Sequence, residues 1–209
     1  MAAPRAPAVP VLIFTRTPVP GRVKTRLIPA IGAARAANLH RAMLWRTVAT
    51  ATRAAVGPVG LWCSPATEHP FIGEIQREFA IDAHLQQGRN LGERMYRALH
   101  SRPGTGAGAL LVGTDCPFLE IDDLRQAAGA LSDGADAVLG PAQDGGYYLI
   151  GVRASNRAAF SDIAWGSAQV LAETRQKFRD LGWHWRELAT RRDVDRPSDL
   201  PAIEDLLIY

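Results

Sequence analysis

The sequence predicts an α/β protein of three layers, in which helices cover both faces of a mixed, mostly parallel β-sheet. Short apolar runs of strand length alternate with longer segments whose apolar residues recur every three or four positions. The tight turn Asp144-Gly145-Gly146 joins two further apolar runs. Such a turn predicts a hairpin, and therefore one antiparallel element in an otherwise parallel sheet.

Each predicted element has a local reason. The first strand, residues 9–14, is continuously apolar, as is typical of a strand buried on both faces. The first helix ends before Gly57-Pro58, and Ser167 is a suitable N-cap for a later helix. In chain order we predict strands over residues 9–14, 59–64, 82–86, 109–113, 136–141, 147–152 and 184–188, helices over 33–55, 68–79, 121–131, 167–181 and 198–207, another helix ending near 100, and a flexible turn over 103–108.

Length and composition suit one domain covering residues 1–209, with residues 1–8 frayed. A hydrophobic content of 47% and a charged content of 22% are typical of globular proteins. The net charge is +3, and the arginines are scattered between acidic residues. We therefore expect a small anionic ligand rather than nucleic acid. No apolar run has the length of a membrane helix, and two cysteines and five dispersed histidines predict neither a disulfide framework nor structural zinc. A reduced, cytoplasmic protein is the simplest interpretation.

A loop rich in cations follows the first strand. Its prolines and Gly21 break regular structure before the first helix begins. Strand, cationic turn and helix together are typical of a phosphate site, although a solvated basic loop is the alternative. Lys24 is one of only two lysines in the chain, which suggests a site that favours a compact charge. The polar side chains of this loop are Thr15, Arg16, Thr17, Arg22, Lys24, Thr25 and Arg26.

Two familiar phosphate-binding motifs are excluded. A Walker A loop requires glycine directly before the lysine, where this chain has Val23. The glycines of residues 104–108 precede a strand, whereas those of a dinucleotide-binding fingerprint follow one. A second candidate binding loop contains Gln87, Gly88 and Gly92, because it follows the third predicted strand.

Three aspartates are candidates for the acidic part of a site. Asp115 directly follows a buried strand, at the end of the strand where α/β sheets bind ligands. Asp193 and Asp195 share one face of an extended segment, so a cation such as Mg²⁺ could lie between them. Helix capping and turn formation are the alternatives for all three.

Four motifs in order resemble those of a known family. They are Pro18-x-Pro20-Gly21-x-Val23-Lys24-Thr25-Arg26-Leu27, Gly113-Thr114-Asp115-Cys116-Pro117, Gly140-Pro141-x-x-Asp144-Gly145-Gly146-Tyr147-Tyr148-Leu149-x-Gly151 and Asp193-x-Asp195-x-Pro197-x-Asp199-Leu200. Together they resemble bacterial nucleotide-diphospho-sugar transferase-like proteins, also called glycosyltransferases or radical-SAM/selenodomain-associated transferases. These proteins are related to the nucleotidyltransferases of molybdenum-cofactor and phospholactate biosynthesis.

The resemblance implies a GT-A-like fold that binds a nucleoside triphosphate or nucleotide sugar with Mg²⁺ or Mn²⁺. It implies that Lys24, Arg22 and Asp115 are catalytic and that Asp115, Asp195 and Asp193 hold the metal. Nucleotide binding would involve Thr15, Gly21, Arg22, Lys24, Arg26, Gln87, Gly88, Gly92 and Asp115, and a small-molecule acceptor would meet Asp144, Gly145, Gly146 and Tyr147.

Several functions remain compatible with these motifs. Sugar transferases of this fold usually carry Asp-x-Asp where this chain has Asp115-Cys116-Pro117, so we expect nucleotidyl transfer to a small phosphorylated acceptor rather than glycosyl transfer. A nucleotide-binding protein without catalytic activity is the second alternative. The acceptor, the preferred base and the oligomeric state do not follow from the sequence.

Overall fold

The computed structural model of the protein describes residues 8–101 and 107–206, with side chains up to residue 203. Most of the predicted frayed start, most of the predicted turn over 103–108 and the end of the predicted last helix lie outside these residues. Within the described ranges the strands are β1 (Val11–Arg16), β2 (Val59–Ser64), β3 (Asp82–Leu85), β4 (Ala109–Val112), β5 (Ala137–Pro141), β6 (Tyr147–Val152) and β7 (Trp185–Glu187). The α-helices are α1 (Ile28–Ala54), α2 (Pro70–Phe79), α3 (Leu91–His100), α4 (Ile121–Ser132) and α5 (Val170–Asp180).

The strands form one sheet in the order β3-β2-β1-β4-β6-β5-β7. Strand β6 runs antiparallel to both of its neighbours, and the other pairings are parallel. The hairpin at the turn of residues 144–146 therefore brings the reversed strand back between β4 and β5. The predicted mixed, mostly parallel sheet is confirmed.

Two apolar clusters cover the two faces of the sheet. Val11 and Ile13 of β1 belong to the cluster that includes residues of α1, α2 and α4. Leu12 and Phe14 belong to the other cluster, with residues of α3 and α5. Successive side chains of a strand point to opposite faces, so a continuously apolar strand is what a sheet buried on both sides requires. No helix of the described ranges is long and apolar enough to cross a membrane.

The start of the chain differs from the prediction. Strand β1 ends at Arg16, two residues later than expected, and α1 begins at Ile28 rather than at residue 33. Gly32 interrupts that helix with φ 79° and ψ 158°. This conformation is open to glycine and to few other residues, and it explains why the sequence pattern before residue 33 does not resemble that of a helix.

Two helices near the end of the chain differ from their predictions, one in its start and one in its type. The hydroxyl of Ser167 accepts a bond from the Gln169 amide at 3.1 Å, so Ser167 caps a turn, and α5 begins only at Val170. The last segment, Pro197–Leu206, is a 3₁₀ helix rather than an α-helix. Pro201 lies inside it and cannot donate the backbone bond that an α-helix needs.

Candidate active site

The predicted site residues lie at one edge of the sheet. Strands β1 to β4 are parallel to one another. Strand β6 is antiparallel to β4, β5 is antiparallel to β6, and β7 is parallel to β5, so β5 and β7 run in the same direction as β1 to β4. Their carboxyl ends, and the start of β6, therefore meet at the same edge. The basic loop, the loop after β3, Asp115, the hairpin turn and the segment after β7 all follow from this edge.

The basic loop is held in a constrained conformation. Gly21 has φ 81°, and a side chain at this position would meet no atom within 4 Å, so the backbone is open to the solvent side. Lys24 has φ 47° and ψ 41°, in the left-handed region. A non-glycine residue pays a conformational cost there and keeps that geometry only where its surroundings fix it.

Lys24 joins two distant parts of the chain. Its Nζ donates to Asp115 Oδ1 at 2.5 Å and to the Val194 carbonyl at 2.6 Å. The Val194 amide in turn donates to the Asp115 carbonyl at 2.8 Å. The Lys24 side chain is only 3% exposed, whereas that of Asp115 is 63% exposed. We call Lys24, Asp115 and Val194 the Lys24 clasp. These bonds fix the position of Asp115, whose carboxylate remains accessible to solvent.

The clasp also determines where the two later aspartates lie. Val194 is fully buried in a small cluster with Leu27, Leu39 and Met43. Asp193 and Asp195 flank it in a segment without regular secondary structure and are partly exposed. The bond between the Val194 amide and the Asp115 carbonyl thus brings this segment to the edge of the sheet where the basic loop lies.

The remaining cations of the loop differ in what they contact. Arg26 forms an ion pair with Asp195, and its side chain is 64% exposed. The guanidinium of Arg16 donates to the Arg22 carbonyl at 3.3 Å and so closes the loop on itself. The Arg22 side chain is exposed and forms no ion pair with the described residues. Arg16, Arg22 and Arg26 therefore all have exposed side chains, and of the three only Arg26 forms an ion pair with the described residues.

The acids of this edge have opposite pKa shifts. Desolvation opposes ionisation of Asp115, but the charge of the Lys24 ammonium and its hydrogen bond outweigh this effect and lower the pKa of Asp115. The pKa of Asp193 is raised, first by burial and then by the charges of Asp144, Asp199 and Asp195. The Asp193 carboxylate thus lies near other carboxylates, and a bound cation would reduce the repulsion between them.

Sequence reasoning missed His40, which lies on α1 below the basic loop. It is buried, and its Nε2 lies 2.9 Å from the Arg16 carbonyl and 3.3 Å from Thr15 Oγ1. Because a carbonyl only accepts, Nε2 donates to Arg16. Burial lowers the pKa of His40, which keeps the ring neutral in this role. Thr15, predicted to bind nucleotide, is buried and contacts this histidine.

The loop after β3 is fixed by a residue next to the predicted ones. The Gln86 side chain donates to the Trp62 carbonyl at 2.8 Å and to the Thr15 carbonyl at 3.2 Å. Gln87 is exposed, and Gly88 has φ 147°, with the Arg94 amide 2.8 Å from where a Cβ would lie. The Gln87-Gly88 backbone therefore lies close to the start of α3.

Gly92 has a packing role in α3. A Cβ at Gly92 would overlap the Phe160 carbonyl oxygen and lie 2.7 Å from Trp165 Nε1. Glycine at this position lets the first turn of the helix approach the segment of residues 157–165.

The predicted acceptor residues form the hairpin turn before β6. Asp144 Oδ1 accepts from the Gly146 amide at 2.8 Å, which fixes the turn. Gly145 has φ 89° and packs against the Ala168 backbone, where a side chain would not fit. Tyr147 is half-buried, with its ring 6.5 Å from that of Trp165 and its hydroxyl 4.0 Å from Met95 Sδ. Burial raises the pKa of Tyr147, so its hydroxyl stays protonated.

A family comparison assigns the chain to a group of bacterial proteins. The family described as "Uncharacterized protein conserved in bacteria (DUF2064)" matches residues 47–167, more than half of the 209 residues. The chain belongs to this family. The matched part includes Asp115 and the hairpin turn, while the basic loop and Asp195 lie outside it. No curated protein matched the sequence.

Solved structures share the fold. A protein of Desulfovibrio desulfuricans G20, provisionally named a nucleotide-diphospho-sugar transferase, is 27% identical, with 95% of this chain and 96% of that chain covered and a TM-score of 0.80. The 4-diphosphocytidyl-2C-methyl-D-erythritol synthase of Anaerococcus prevotii DSM 20548 is 11% identical, with 98% and 100% covered and a TM-score of 0.65. Glucosyl-3-phosphoglycerate synthase of Mycobacterium tuberculosis is 11% identical, with 93% and 75% covered and a TM-score of 0.57. The GT-A-like fold is confirmed, and the last two likenesses show the fold alone.

The mycobacterial structure was determined with Mn²⁺ and UDP. Among the described residues, no three His, Cys, Asp or Glu side chains converge to hold a metal by themselves. Asp115 nevertheless presents an accessible carboxylate, and the pKa of Asp193 is raised by burial and by the carboxylates near it. Mg²⁺ often takes one or two carboxylates and completes its shell with phosphate oxygens and water. The chemistry of these carboxylates is compatible with a divalent cation that is held mainly by other ligands.

Proposed function

We propose that this protein is a Mg²⁺- or Mn²⁺-dependent nucleotidyltransferase that uses a nucleoside triphosphate and a small phosphorylated acceptor. The Lys24 clasp is the observation that carries the proposal. It joins the cationic loop after β1, the acid after β4 and the acidic segment after β7 into one surface. A nucleotide–metal complex needs cations and carboxylates side by side. The kinship with molybdenum-cofactor and phospholactate nucleotidyltransferases, which the motif resemblance implies, is part of this proposal.

The triphosphate would lie across the basic loop. Arg22 and Arg26 have exposed guanidinium groups, which suit phosphate oxygens because they donate two parallel bonds. The Lys24 ammonium has three protons, and two are used by Asp115 and Val194. Its remaining proton and its charge would favour a phosphate held above Asp115. Its nearly complete burial makes Lys24 first of all the residue that orients Asp115.

Asp115, with Asp195 or Asp193, would hold the metal. A divalent cation at this place supplies a Lewis acid that neutralises charge on the phosphates. Because the pKa of Asp115 is lowered, its carboxylate is ionised at neutral pH and available to a cation. The pair with Arg26 holds Asp195 at the same edge.

The transfer step forms one bond and breaks one. An oxygen of the acceptor attacks the α-phosphorus in line, the bond from that phosphorus to the bridging oxygen breaks, and pyrophosphate leaves. Negative charge grows on the leaving group, where Arg22, Arg26 and Lys24 would stabilise it. The turn of Asp144, Gly145 and Gly146 and the nearby Tyr147 lie at the same edge and would face the acceptor.

A thermal-shift panel tests the proposal. The purified protein is heated with ATP, GTP, CTP, UTP, UDP-glucose or GDP-mannose, each with and without Mg²⁺. A ligand at about 100 times its Kd adds roughly 2.7 kcal/mol to the free energy of unfolding, which is readily measured. We expect a Mg²⁺-dependent shift with one triphosphate, and release of pyrophosphate when phosphorylated acceptors are screened with that nucleotide.

Two other outcomes would contradict the proposal. A thermal shift with a nucleotide sugar alone would indicate glycosyl transfer. The absence of a thermal shift with every ligand would mean that the protein has no nucleotide site at this edge. Arg22→Gln should weaken triphosphate binding, and Arg186→Gln is the matched control, because Arg186 is an exposed arginine on β7 whose ion pair with Asp133 is 3.9 Å long. Equal affinities of the two variants would place the triphosphate away from the basic loop.

A further inference from the structure

A cleft of about 290 Å³ lies between the start of α3 and the segment of residues 157–165. It continues into a second hollow of about 360 Å³, with which it shares Arg157, Ser161 and Asp162. We call the first the arginine cleft. The residues of its wall that matter below are Arg89, Asn90, Glu93, Tyr96, Arg157 and Trp165. Arg89 and Asn90 lie in the second candidate binding loop predicted from the sequence, but none of the six was predicted individually as a site residue.

We propose that the arginine cleft binds the anionic group of a phosphomonoester, the acceptor of the transfer. That the bound ester is the acceptor rests on the proposed function. That the cleft binds a phosphate group rests on the residues of the cleft.

The charges around the cleft favour an anion. Arg97 donates to Glu93 at 2.7 Å, Arg89 at 3.4 Å, and Arg157 lies 4.0 Å away. Three guanidinium groups thus face two carboxylates, that of Glu93 and that of Asp162 in the same wall, which leaves an excess of one positive charge. The adjoining hollow adds no net charge, because its Lys177 and Asp180 offset each other.

Glu93 does not repel a ligand, because it is already enclosed. Its side chain is only 9% exposed. The Arg89 amide donates to it at 2.9 Å, and this bond, followed by that from Arg97, lowers the pKa of Glu93 to about 2. The carboxylate therefore stays ionised and holds Arg97 and the Arg89 backbone in place.

Two of the arginines remain available to a ligand. The Arg157 side chain is 62% exposed and that of Arg89 is 88% exposed, and their contacts with Glu93 are long. Guanidinium groups in this state can donate paired bonds to phosphate oxygens. The half-buried indole of Trp165 lines the same cleft and offers a flat apolar surface to the carbon skeleton of the ligand.

The cleft adjoins both sides of the proposed reaction centre. Arg89 and Asn90 directly follow the Gln87-Gly88 backbone, which Arg94 pins through a bond to the Gly88 carbonyl at 3.0 Å. Trp165 contacts Tyr147, the first residue after the hairpin turn. A phosphomonoester held in the cleft therefore lies beside the turn that would face the acceptor.

Titration calorimetry with three phosphomonoesters tests this inference: glucose 1-phosphate, glycerol 3-phosphate and 3-phosphoglycerate, with glucose as the uncharged control. We expect at least one ester to bind the wild type without nucleotide and glucose not to bind. Arg157→Gln should weaken that binding about tenfold to a hundredfold, the effect of losing one charge-assisted bond. Arg186→Gln has a similar exposure and an ion pair of similar length, so it should bind like the wild type.

Mg²⁺–triphosphate affinity, measured on the same variants, separates this inference from the proposed function. Arg157→Gln should leave it unchanged. If an ester binds in the cleft but no triphosphate binds, the proposed function fails and the phosphate site stands. If no ester binds, if both arginine variants behave alike, or if Arg157→Gln weakens triphosphate binding instead, the inference is overturned.

Discussion

At the scale of single residues, the Lys24 clasp predicts that two substitutions of Asp115 have different effects on stability. Asp115→Ala leaves the buried Lys24 ammonium without its carboxylate, and we expect a loss of about 1–3 kcal/mol in the free energy of unfolding. Asp115→Asn keeps an oxygen that can accept from Lys24, so its loss should be smaller. Both variants should lose Mg²⁺-dependent nucleotide binding, because neither has the charge. Urea unfolding and the thermal-shift panel measure the two effects, and equal stability of both variants would contradict the clasp.

Replacing Asp193 should stabilise the protein, whereas replacing Asp115 should destabilise it. Its pKa is raised in the folded protein, so its protonation favours folding in acid, and this stabilisation is lost as the pH rises through the raised pKa. At pH 7 the charge of Asp193 therefore opposes folding. We expect Asp193→Asn to stabilise the protein at pH 7 by up to about 1 kcal/mol, with the difference from the wild type shrinking below about pH 4.

The control for Asp193→Asn is Asp122→Asn, at an exposed position on α4 beside Arg125. Unfolding curves at pH 4 and 7 should show no gain for the control. A loss of stability in Asp193→Asn at pH 7 would mean that this carboxylate is held by a favourable partner.

Some residues of the site could be predicted from position alone, and others could not. Asp115 and Asp195 stand after strands and beside prolines, so local sequence indicates the edge at which they lie. His40 stands in an alanine-rich helix pattern between Leu39 and Met43, both buried. Only its place on that apolar face signals a role, and its partner is a backbone carbonyl, which no side-chain pattern reveals.

At the scale of elements, the packing of α3 depends on Gly92. In most helices Gly→Ala stabilises by about 0.5–1 kcal/mol, since alanine loses less entropy. A Cβ at Gly129 of α4 would meet no atom within 4 Å, so Gly129→Ala should show this gain. A Cβ at Gly92 would overlap the Phe160 carbonyl, so Gly92→Ala should instead cost about 1–3 kcal/mol.

Thermal unfolding of the two glycine variants measures the difference, and the fluorescence of Trp165 should change in Gly92→Ala alone. A gain of stability in both variants would show that α3 and the segment of residues 157–165 do not touch as described. Sequence reasoning treated Gly92 as a ligand-binding residue, because a glycine in a loop does not reveal which backbone approaches it.

At the scale of the whole molecule, the strands were largely predictable and their order was not. Apolar runs located all seven strands to within two residues at most ends. The placement of β6 between β4 and β5 depends on pairing across distant parts of the chain. The same is true of the site, because Lys24 and Val194 are 170 residues apart and still share a hydrogen bond.

This connection between the two ends of the chain leads to a last prediction. A ligand that binds only the assembled edge lowers the population of states in which any part of it has opened. Mg²⁺ with the triphosphate identified in the panel should therefore slow amide hydrogen exchange in residues 17–27 and in residues 191–199 by similar factors. Helix α2 contributes no residue to the edge, so those of its amides that exchange by local opening should exchange as before, as should the whole protein when Mg²⁺ is omitted. Protection of residues 17–27 alone would show that the basic loop binds phosphate without the acidic segment, and that the Lys24 clasp does not couple them.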